Sequence, residues 1–278
     1  MRFAKLRIYL TSIAIFIFLA SCSASPQGCA PRLKDLKTQY PHVIYHGPKL
    51  PFEIEVKKDR PASWVSLDEV SKRAQSAILI SEDWAFYSHP GYDEKQIRAA
   101  IEEGVESGKM KRGASTITQQ VVKNVYLSPK KSLIRKIREI WLATKVEKVL
   151  GKKRILEVYL NIAEWGEGIF GIERASQYYF QKSASQLTAK EGAFLAMLLP
   201  SPKKYSISFR KKQLTGYARK TVRSILNKLV SAKVLTSEES KSEWRQPFPF
   251  ESNFVESQPE DEQIQDEETD PSIESGSE

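Results

Sequence analysis

Residues 113–126 read Gly113-Ala114-Ser115-Thr116-Ile117-Thr118-Gln119-Gln120-Val121-Val122-Lys123-Asn124-Val125-Tyr126, and this stretch sets the structural class of the chain. Its period predicts a helix capped by Ser115, with Gly113 allowing close backbone approach just before it. The apolar stripe of that helix consists of Ile117, Val121 and Val125. The polar stripe beside it consists of Thr116, Gln119, Gln120 and Lys123. Such groups beside a helix N-terminus are typical of a phosphate or sugar site; a solvated polar face is the alternative.

Helical periodicity continues on both sides of this stretch and predicts a mostly α fold. A capping box at Ser66 and Glu69 opens one helix, and a second box at Thr188 and Glu191 opens another that Pro200 stops. The inward face of the first helix is predicted to consist of Val70, Ala74, Ala77 and Ile78. Further helices are predicted to begin at Asp93 and to cover residues 155–161, 215–231 and 237–245.

A long helix is predicted from Ser132 to Gly151. Its inward side chains are expected to be Ile134, Ile137, Trp141 and Val146. Residues 123–154 hold eleven Lys and Arg against two Glu, and one of the two, Glu139, shares a helix face with Arg135. Positive surroundings favour the charged carboxylate, so Glu139 is expected to orient or stabilise rather than to donate a proton. An ordinary surface ion pair is the alternative.

A second glutamate, Glu82, follows an apolar stretch and is flanked by Trp84 and Phe86. Such a setting is expected to raise its pKa and to let it act as a base. A surface glutamate at the end of a helix is the alternative. His89 follows without partners at metal-ligand spacing, so a structural hydrogen bond is expected rather than a metal site.

Residues 1–21 have the composition of a signal or anchor segment, with basic residues before an apolar run from Ile8 to Ala20. That run is shorter than the ~20 residues that span a bilayer as a helix. The sequence Leu19-Ala20-Ser21-Cys22 resembles the lipobox of bacterial lipoproteins, so a lipidated Cys22 and an uncleaved anchor are both open. Either reading predicts export. Cys22 and Cys29 are the only cysteines, which excludes a disulfide framework and a Cys-based metal site.

The remaining chain divides by composition. Residues 22–62 contain six Pro and are predicted to be a linker or arm with a short strand near Phe52–Val56. The ordered domain is expected from about Ser63, over residues 63–246, followed by an acidic disordered tail at 247–278. Residues 1–250 hold 43 basic and 23 acidic side chains, a net charge of +20. Such a body attracts polyanions, and export argues against nucleic acid as the partner.

Five blocks in this order resemble the peptidoglycan glycosyltransferase family (glycosyltransferase family 51), most closely its monofunctional biosynthetic type. The first two are Glu82-Asp83-x-x-Phe86-x-x-His89-x-Gly91 and Gly113-x-Ser115-Thr116-Ile117-Thr118-Gln119-Gln120 with Lys123-Asn124. The third joins Arg135-Lys136-x-x-Glu139 to Ile155-Leu156-Glu157-x-Tyr159-Leu160-Asn161. The last two are Gly168-Ile169-Phe170-Gly171 through Phe180, and Glu191 through Pro200. The chain departs from the family pattern at Ala114 and Gln181, where Gly is common.

The resemblance implies a lysozyme-like fold with a lobe that leans on the membrane, and a role in cell wall biogenesis. It implies that the enzyme polymerises lipid II with inversion to a β-1,4 bond, Glu82 serving as base and Glu139 assisting at the donor. The substrate-binding residues implied are Asp83, Phe86, His89, Ser115, Thr116, Gln119, Gln120, Lys123, Asn124 and Arg135. Lys123 and Arg135 match positions that hold diphosphate.

The resemblance also suggests partners and a location. No cofactor is expected to be required and no metal ligands are assigned, although Mg or Mn could accompany the diphosphate. Lipid II, the lipid-linked glycan strand, the membrane and other cell-wall synthesis proteins are the expected partners. The expected location is the periplasmic face of the bacterial inner membrane, with an N-terminal anchor or a lipid on Cys22.

Two other functions fit parts of the pattern. A lytic enzyme of related fold would cleave peptidoglycan glycan, but it would leave the Lys and Arg crowd without a leaving phosphate to stabilise. A non-catalytic binder of lipid-linked precursors would not need both glutamates.

Overall fold

The computed structural model describes residues 31–95, 97–99, 115–130 and 132–252, and within them the protein is mostly helical. The helices are α1 (Lys72–Glu82), α2 (Ile117–Tyr126), α3 (Leu133–Ile162), α4 (Ile172–Phe180), α5 (Ala189–Leu198), α6 (Pro202–Tyr205), α7 (Ile207–Arg210), α8 (Gly216–Ser231) and α9 (Ser237–Arg245). Short 3₁₀ turns cover Leu33–Lys37, Leu67–Glu69 and Ala184–Gln186. The mostly α class is therefore confirmed.

Helix α5 forms the centre of the core and is buried on every side. It packs against α1 and α8, while α2 packs along α3. The α1–α5 contact is close because Gly192 has no side chain: a Cβ there would lie 2.5 Å from the Cα of Ala74. As predicted, the capping box of Thr188 and Glu191 opens α5, which ends two residues before Pro200.

Helix α3 begins at the predicted N-cap, Ser132, whose hydroxyl accepts a hydrogen bond from the backbone N–H of Arg135. Gly151 does not close it. The backbone kinks there at φ 73°, and helix continues to Ile162, so the predicted 155–161 helix is its second half. A positive φ suits glycine because a Cβ would be strained there.

The predicted inward face of the first half of α3 is wrong except for Val146, which is fully buried. Ile134, Ile137 and Trp141 are 74%, 61% and 47% exposed. The helix instead turns Leu142, Ala143 and Val146 toward the core. Its predicted apolar stripe thus faces away from the protein interior.

The part of the predicted arm that the structure describes is folded onto the helical body. Strands β1 (Tyr40–Ile44) and β2 (Glu53–Lys57) form an antiparallel hairpin, which confirms the predicted strand near 52–56 and adds its partner. Leu36 is fully buried, and the carbonyls of Leu36 and Gln39 accept hydrogen bonds from Arg154. Order therefore begins well before Ser63. A second small hairpin pairs β3 (Glu164–Gly166) with β4 (Ile169–Phe170).

The predicted helix boundaries agree with the observed ones where a capping residue precedes a clear helical period, as in α8 and α9. The Ser66 capping box opens only a 3₁₀ turn, and α1 begins later, with Ser71 as N-cap. Its predicted apolar face is buried throughout. Gln181, a departure from the family pattern, ends α4 in the left-handed conformation at φ 58°, which explains why glycine is favoured there.

The structure describes neither the predicted N-terminal signal or anchor segment nor most of the predicted C-terminal tail. Residues 1–30, with the predicted signal or anchor segment and both cysteines, lie outside the described residues, as do 253–278. Residues 247–252, assigned to the tail, pack on the body: Phe248 is buried and stacks on Phe250 and Phe180. None of the described helices is long and apolar enough to cross a bilayer.

Candidate active site

Glu82 is the last residue of α1, and its carboxylate accepts a hydrogen bond of 3.0 Å from the side-chain amide of Gln120 on α2. The carbonyl oxygen of the same amide faces the hydroxyl of the buried Tyr159 at 3.4 Å. Because Tyr159 donates to that oxygen, the NH₂ group is the one directed at Glu82. Tyr159 thereby orients Gln120. It belongs to the third family block but was not predicted as a site residue.

The pKa of Glu82 is raised, mainly because burial removes water from the carboxylate, with Asp83 adding repulsion. The hydrogen bond from Gln120 and the charge of Lys123 oppose that rise. This direction confirms the expectation, but the cause differs from the one predicted. Trp84 is 73% exposed and does not shield Glu82, whereas Phe86 lies in the core.

Asp83 joins three segments of the site. Its buried carboxylate accepts a hydrogen bond from the ring Nε2 of His89 at 2.8 Å and another from the backbone N–H of Ile117 at 2.9 Å. The Nδ1 atom of His89 accepts from the N–H of Gly91, which places the ring proton on Nε2. The predicted structural hydrogen bond of His89 is thus confirmed, and Asp83 fixes the start of α2 next to Glu82.

The N-cap of α2 is Thr116, not Ser115 as predicted. Thr116 and Gln119 form a capping box, and the Thr116 hydroxyl also donates to the carbonyl of Gly91 at 2.7 Å. Gln119 is fully buried in this role, so it is not part of an exposed polar stripe. Ser115 is exposed and accepts a hydrogen bond from Lys136.

Glu139 is buried to 3% exposure on the first turns of α3 and is held by two cations. Lys136 donates to its carboxylate at 2.6 Å, and Arg135 lies 3.9 Å from the other oxygen. The Arg135 guanidinium contact is loose, and its buried Nε atom has no hydrogen-bond partner among the described residues. The surface ion-pair alternative for Glu139 is therefore excluded by burial, and Arg135 retains donor capacity for a ligand.

The charges of both carboxylates affect the pKa of Lys123. It is exposed to solvent, yet its pKa is lowered because the surrounding protein displaces hydration from the ammonium, and Arg135 and Lys136 add repulsion. Attraction by Glu139 and by Glu82 opposes this. Hydrogen bonds bring the two carboxylates to the same helix, because Gln120 of α2 donates to Glu82, and Lys136, which pairs with Glu139, also donates to Ser115 just before α2. The neighbouring Asn124 is half-buried.

A second polar network, which the sequence did not predict, joins α2, α3 and the segment that follows Glu82. Glu147 on α3 accepts hydrogen bonds from Thr118 at 2.5 Å and from Lys152 at 2.7 Å. Lys152 also donates to the carbonyl of His89 and lies 4.4 Å above the ring of Phe86. Phe86 is therefore a support for the Glu82 segment rather than part of the exposed surface. Glu147 and Lys152 are far in sequence from Thr118, His89 and Phe86, and no local pattern marks these contacts.

The carboxylates of the site have partners other than a metal ion. Among the residues that the structure describes, no group of three His, Cys, Asp or Glu side chains could hold a metal ion. At the site, Asp83 is occupied by His89 and the α2 backbone, and Glu139 by cations.

The family of the chain follows from its sequence matches. Residues 51–230 match the Transglycosylase family, and the chain belongs to that family. Among its relatives is the biosynthetic peptidoglycan transglycosylase of Chromobacterium violaceum, 43% identical over 158 residues, which covers 57% of this chain and 68% of that protein. The protein of the same name from Shewanella frigidimarina is 46% identical over 169 residues, or 60% and 73% of the two chains.

A solved structure is also similar. The crystal structure of penicillin-binding protein 1A from Haemophilus influenzae matches 76% of this chain and 21% of that one, at 20% identity. The TM-score is 0.37, which is too low to establish a shared fold.

Proposed function

We propose that this protein is a peptidoglycan glycosyltransferase that polymerises lipid II into glycan strands during cell wall synthesis. The observation that carries this proposal is the arrangement at the site. Gln120 of α2 donates to Glu82, whose pKa is raised, and Lys136, which pairs with the buried Glu139, donates to Ser115 just before α2. Lys123 of the same helix and Arg135 beside Glu139 supply positive charge. Membership of the Transglycosylase family and the names of its relatives agree with it.

In the proposed reaction Glu82 takes the proton from the 4-hydroxyl of the acceptor sugar. The freed oxygen bonds to the anomeric carbon of the donor, and the bond from that carbon to the diphosphate breaks. The undecaprenyl diphosphate leaves with the electron pair of that bond. Attack from the side opposite the leaving group converts an α linkage to a β-1,4 bond. Gln120, oriented by Tyr159, holds the Glu82 carboxylate in place.

The cations of the site are proposed to stabilise the leaving diphosphate. Negative charge grows on the diphosphate as the bond breaks, and fixed positive groups stabilise it most in the transition state. Lys123 and Arg135 are the proposed contacts, and Glu139 positions Arg135 with one carboxylate oxygen while Lys136 pairs with the other. No described set of protein ligands forms a metal cage here. We therefore propose that Mg or Mn, if it takes part, is held mainly by the oxygens of the diphosphate itself.

The exposed stripe of α3 supports a membrane-facing lobe. Ile134, Ile137 and Trp141 occupy one face, with Lys145 lying 5.5 Å from the Trp141 ring. An apolar stripe beside cations is typical of a helix that lies on an anionic bilayer. We propose that this face leans on the inner membrane, where the lipid tail of the substrate is held. The periplasmic location, the anchor or lipid at residues 1–22, and other cell-wall synthesis proteins as partners belong to the same proposal.

The experiment is incubation of the full-length protein with labelled lipid II and, separately, with isolated glycan strands. Polymer formed from lipid II, with no shortening of the strands, is the expected result. Shortened strands without polymer would instead identify a lytic enzyme. Retention of lipid II without any product would identify a binder.

A further inference from the structure

In one stretch of the chain all the charged residues are basic. Residues 192–237 contain ten Lys and Arg and no Asp or Glu. They include most of α5 and helices α6, α7 and α8, which contribute none of the side chains described at the site around Glu82. Several of their cations are exposed, and Lys211, Lys212 and Lys220 make no ion pair with the described residues. These three lysines lie within ten consecutive residues, and we call the exposed surface that they contribute to the basic face.

The chain leaves the described body directly at this face. The backbone N–H of Ser252 donates to the carbonyl of Lys212, and the carboxylate of Glu251 accepts from the N–H of Leu214. Phe248 and Phe250 hold this exit in place by packing on Phe180 and Phe194. The position of residue 252 relative to the basic face is thus fixed by the core.

The segment that follows has the opposite charge. Residues 253–278 contain ten Asp and Glu and no Lys or Arg, so the acid count equals the basic count of residues 192–237. Glu256 is four residues beyond Ser252 and lies at most about 14 Å from it along an extended chain. Attachment at residue 252 also gives the segment an effective concentration on the order of millimolar at this face.

We propose that the acidic segment 253–278 docks on the basic face of its own chain, through the Lys211, Lys212 and Lys220 ammonium groups. The contact neutralises a surface that would otherwise attract polyanions and anionic lipid. Because the groups are exposed, the contact weakens with salt: the screening length falls from about 10 Å at 0.1 M to about 3 Å at 1 M.

Lysine acetylation of the full-length protein tests this proposal. Each amine is labelled briefly and quantified by mass spectrometry, with the exposed Lys34, Lys37 and Lys58 as internal controls. A variant with Glu256→Gln, Glu260→Gln, Asp261→Asn and Glu262→Gln removes the first four acids of the segment. A matched variant with Glu55→Gln, Asp59→Asn, Asp68→Asn and Glu94→Gln removes the same charge elsewhere.

The expected result is that the three face lysines react severalfold faster in the first variant, and in wild type at 1 M salt, while the internal controls change little. The matched variant should leave the face lysines protected. Equal labelling of face and control lysines in wild type at low salt would overturn the proposal. Protection that appears only when phosphatidylglycerol vesicles are added would also overturn it, and would assign the face to the membrane.

Discussion

At the scale of single residues, the site depends on charges held at fixed distances rather than on any one reactive group. Burial raises the pKa of Glu82 and an amide orients its carboxylate, while Glu139 is paired with two cations. Each can be changed without altering side-chain size much, so their roles can be separated from folding.

Glu82→Gln removes the proposed base while preserving shape. Polymerisation of lipid II should fall by ~10²-fold or more, the usual contribution of a general base. Turnover measured with labelled lipid II is the readout, and Glu238→Gln on the exposed surface of α9 is the control. Substantial turnover in the Glu82 variant would remove Glu82 from the role of base.

Gln120→Leu should shift the pH dependence. A base works when deprotonated, so activity rises as pH passes through the pKa of Glu82, which burial already holds above its usual value. The Gln120 hydrogen bond lowers that pKa, so its loss should move the acid limb of kcat/KM to still higher pH. Tyr159→Phe should move it the same way by a smaller amount. An unchanged acid limb in both variants, with Gln213→Leu as control, would show that Gln120 does not act through Glu82.

Arg135→Ala should lower turnover more than it weakens substrate binding. The guanidinium can hold two phosphate oxygens, and the contact strengthens as the leaving group gains charge, so the activation free energy should rise by ~3 kcal/mol. Arg135→Lys should recover only part, because a point charge replaces the fork. Steady-state kinetics on lipid II distinguishes the cases, with Arg138→Ala as control. A raised KM with normal turnover would indicate binding of the ground state only.

At the scale of elements, the first half of α3 has two apolar faces, and only one can enter the core. Leu142 and Val146 are buried, and the Ile134–Ile137–Trp141 stripe is left outside beside α3 cations. The same helix thus presents Arg135 and Glu139 to the site and an apolar stripe to its surroundings. This arrangement would bring the membrane surface close to the diphosphate contacts.

Ile134→Asn with Ile137→Asn should weaken the contact of α3 with anionic vesicles. Inserting each isoleucine is worth roughly 1.5–3 kcal/mol at full burial, so the pair should change the contact by about tenfold or more. The chain has five Trp, so the part of the quenching by brominated phosphatidylglycerol that Trp141→Phe removes reports this contact, even if residues 1–21, which lack Trp, anchor the chain. Leu50→Asn, an exposed change in the arm, is the control. Equal quenching in both variants would refute the membrane-facing stripe.

At the scale of the whole molecule, one interface organises the fold. Helix α5 is buried throughout and holds α1, whose last residue is Glu82, against α8. The arm and residues 247–252 close over this core from the two ends of the described chain. The position of Glu82 is thus coupled to global stability through the α1–α5 contact.

Gly192→Ala tests this coupling. The added Cβ would lie 2.5 Å from the Cα and 3.0 Å from the Cβ of Ala74, which forces the helices apart. Overpacking of this kind should lower the free energy of unfolding by about 1–3 kcal/mol, even though alanine favours helix. Urea denaturation measures it, with Ser224→Ala on exposed α8 as control. Undiminished stability would mean that the α1–α5 interface adjusts freely.

The sequence by itself determined the features that depend on neighbours along the chain. The caps at Ser132 and Thr188, the bounds of α8 and α9, and the buried face of α1 follow from capping chemistry and a 3.6-residue period, which are local. The family motifs also led to the prediction of Glu82, Lys123 and Arg135 as site residues, because the spacing of these motifs is carried by the chain itself.

Only the tertiary structure decided which groups meet. Helix α3 has two apolar stripes, and packing against α2 selected the one that is buried. Thr116 replaced Ser115 as the cap because the carbonyl of Gly91 and the carboxylate of Asp83 lie beside the start of α2. Tyr159 reaches Gln120 across 39 positions. Such contacts depend on distances between segments remote in sequence, and no local pattern encodes those distances.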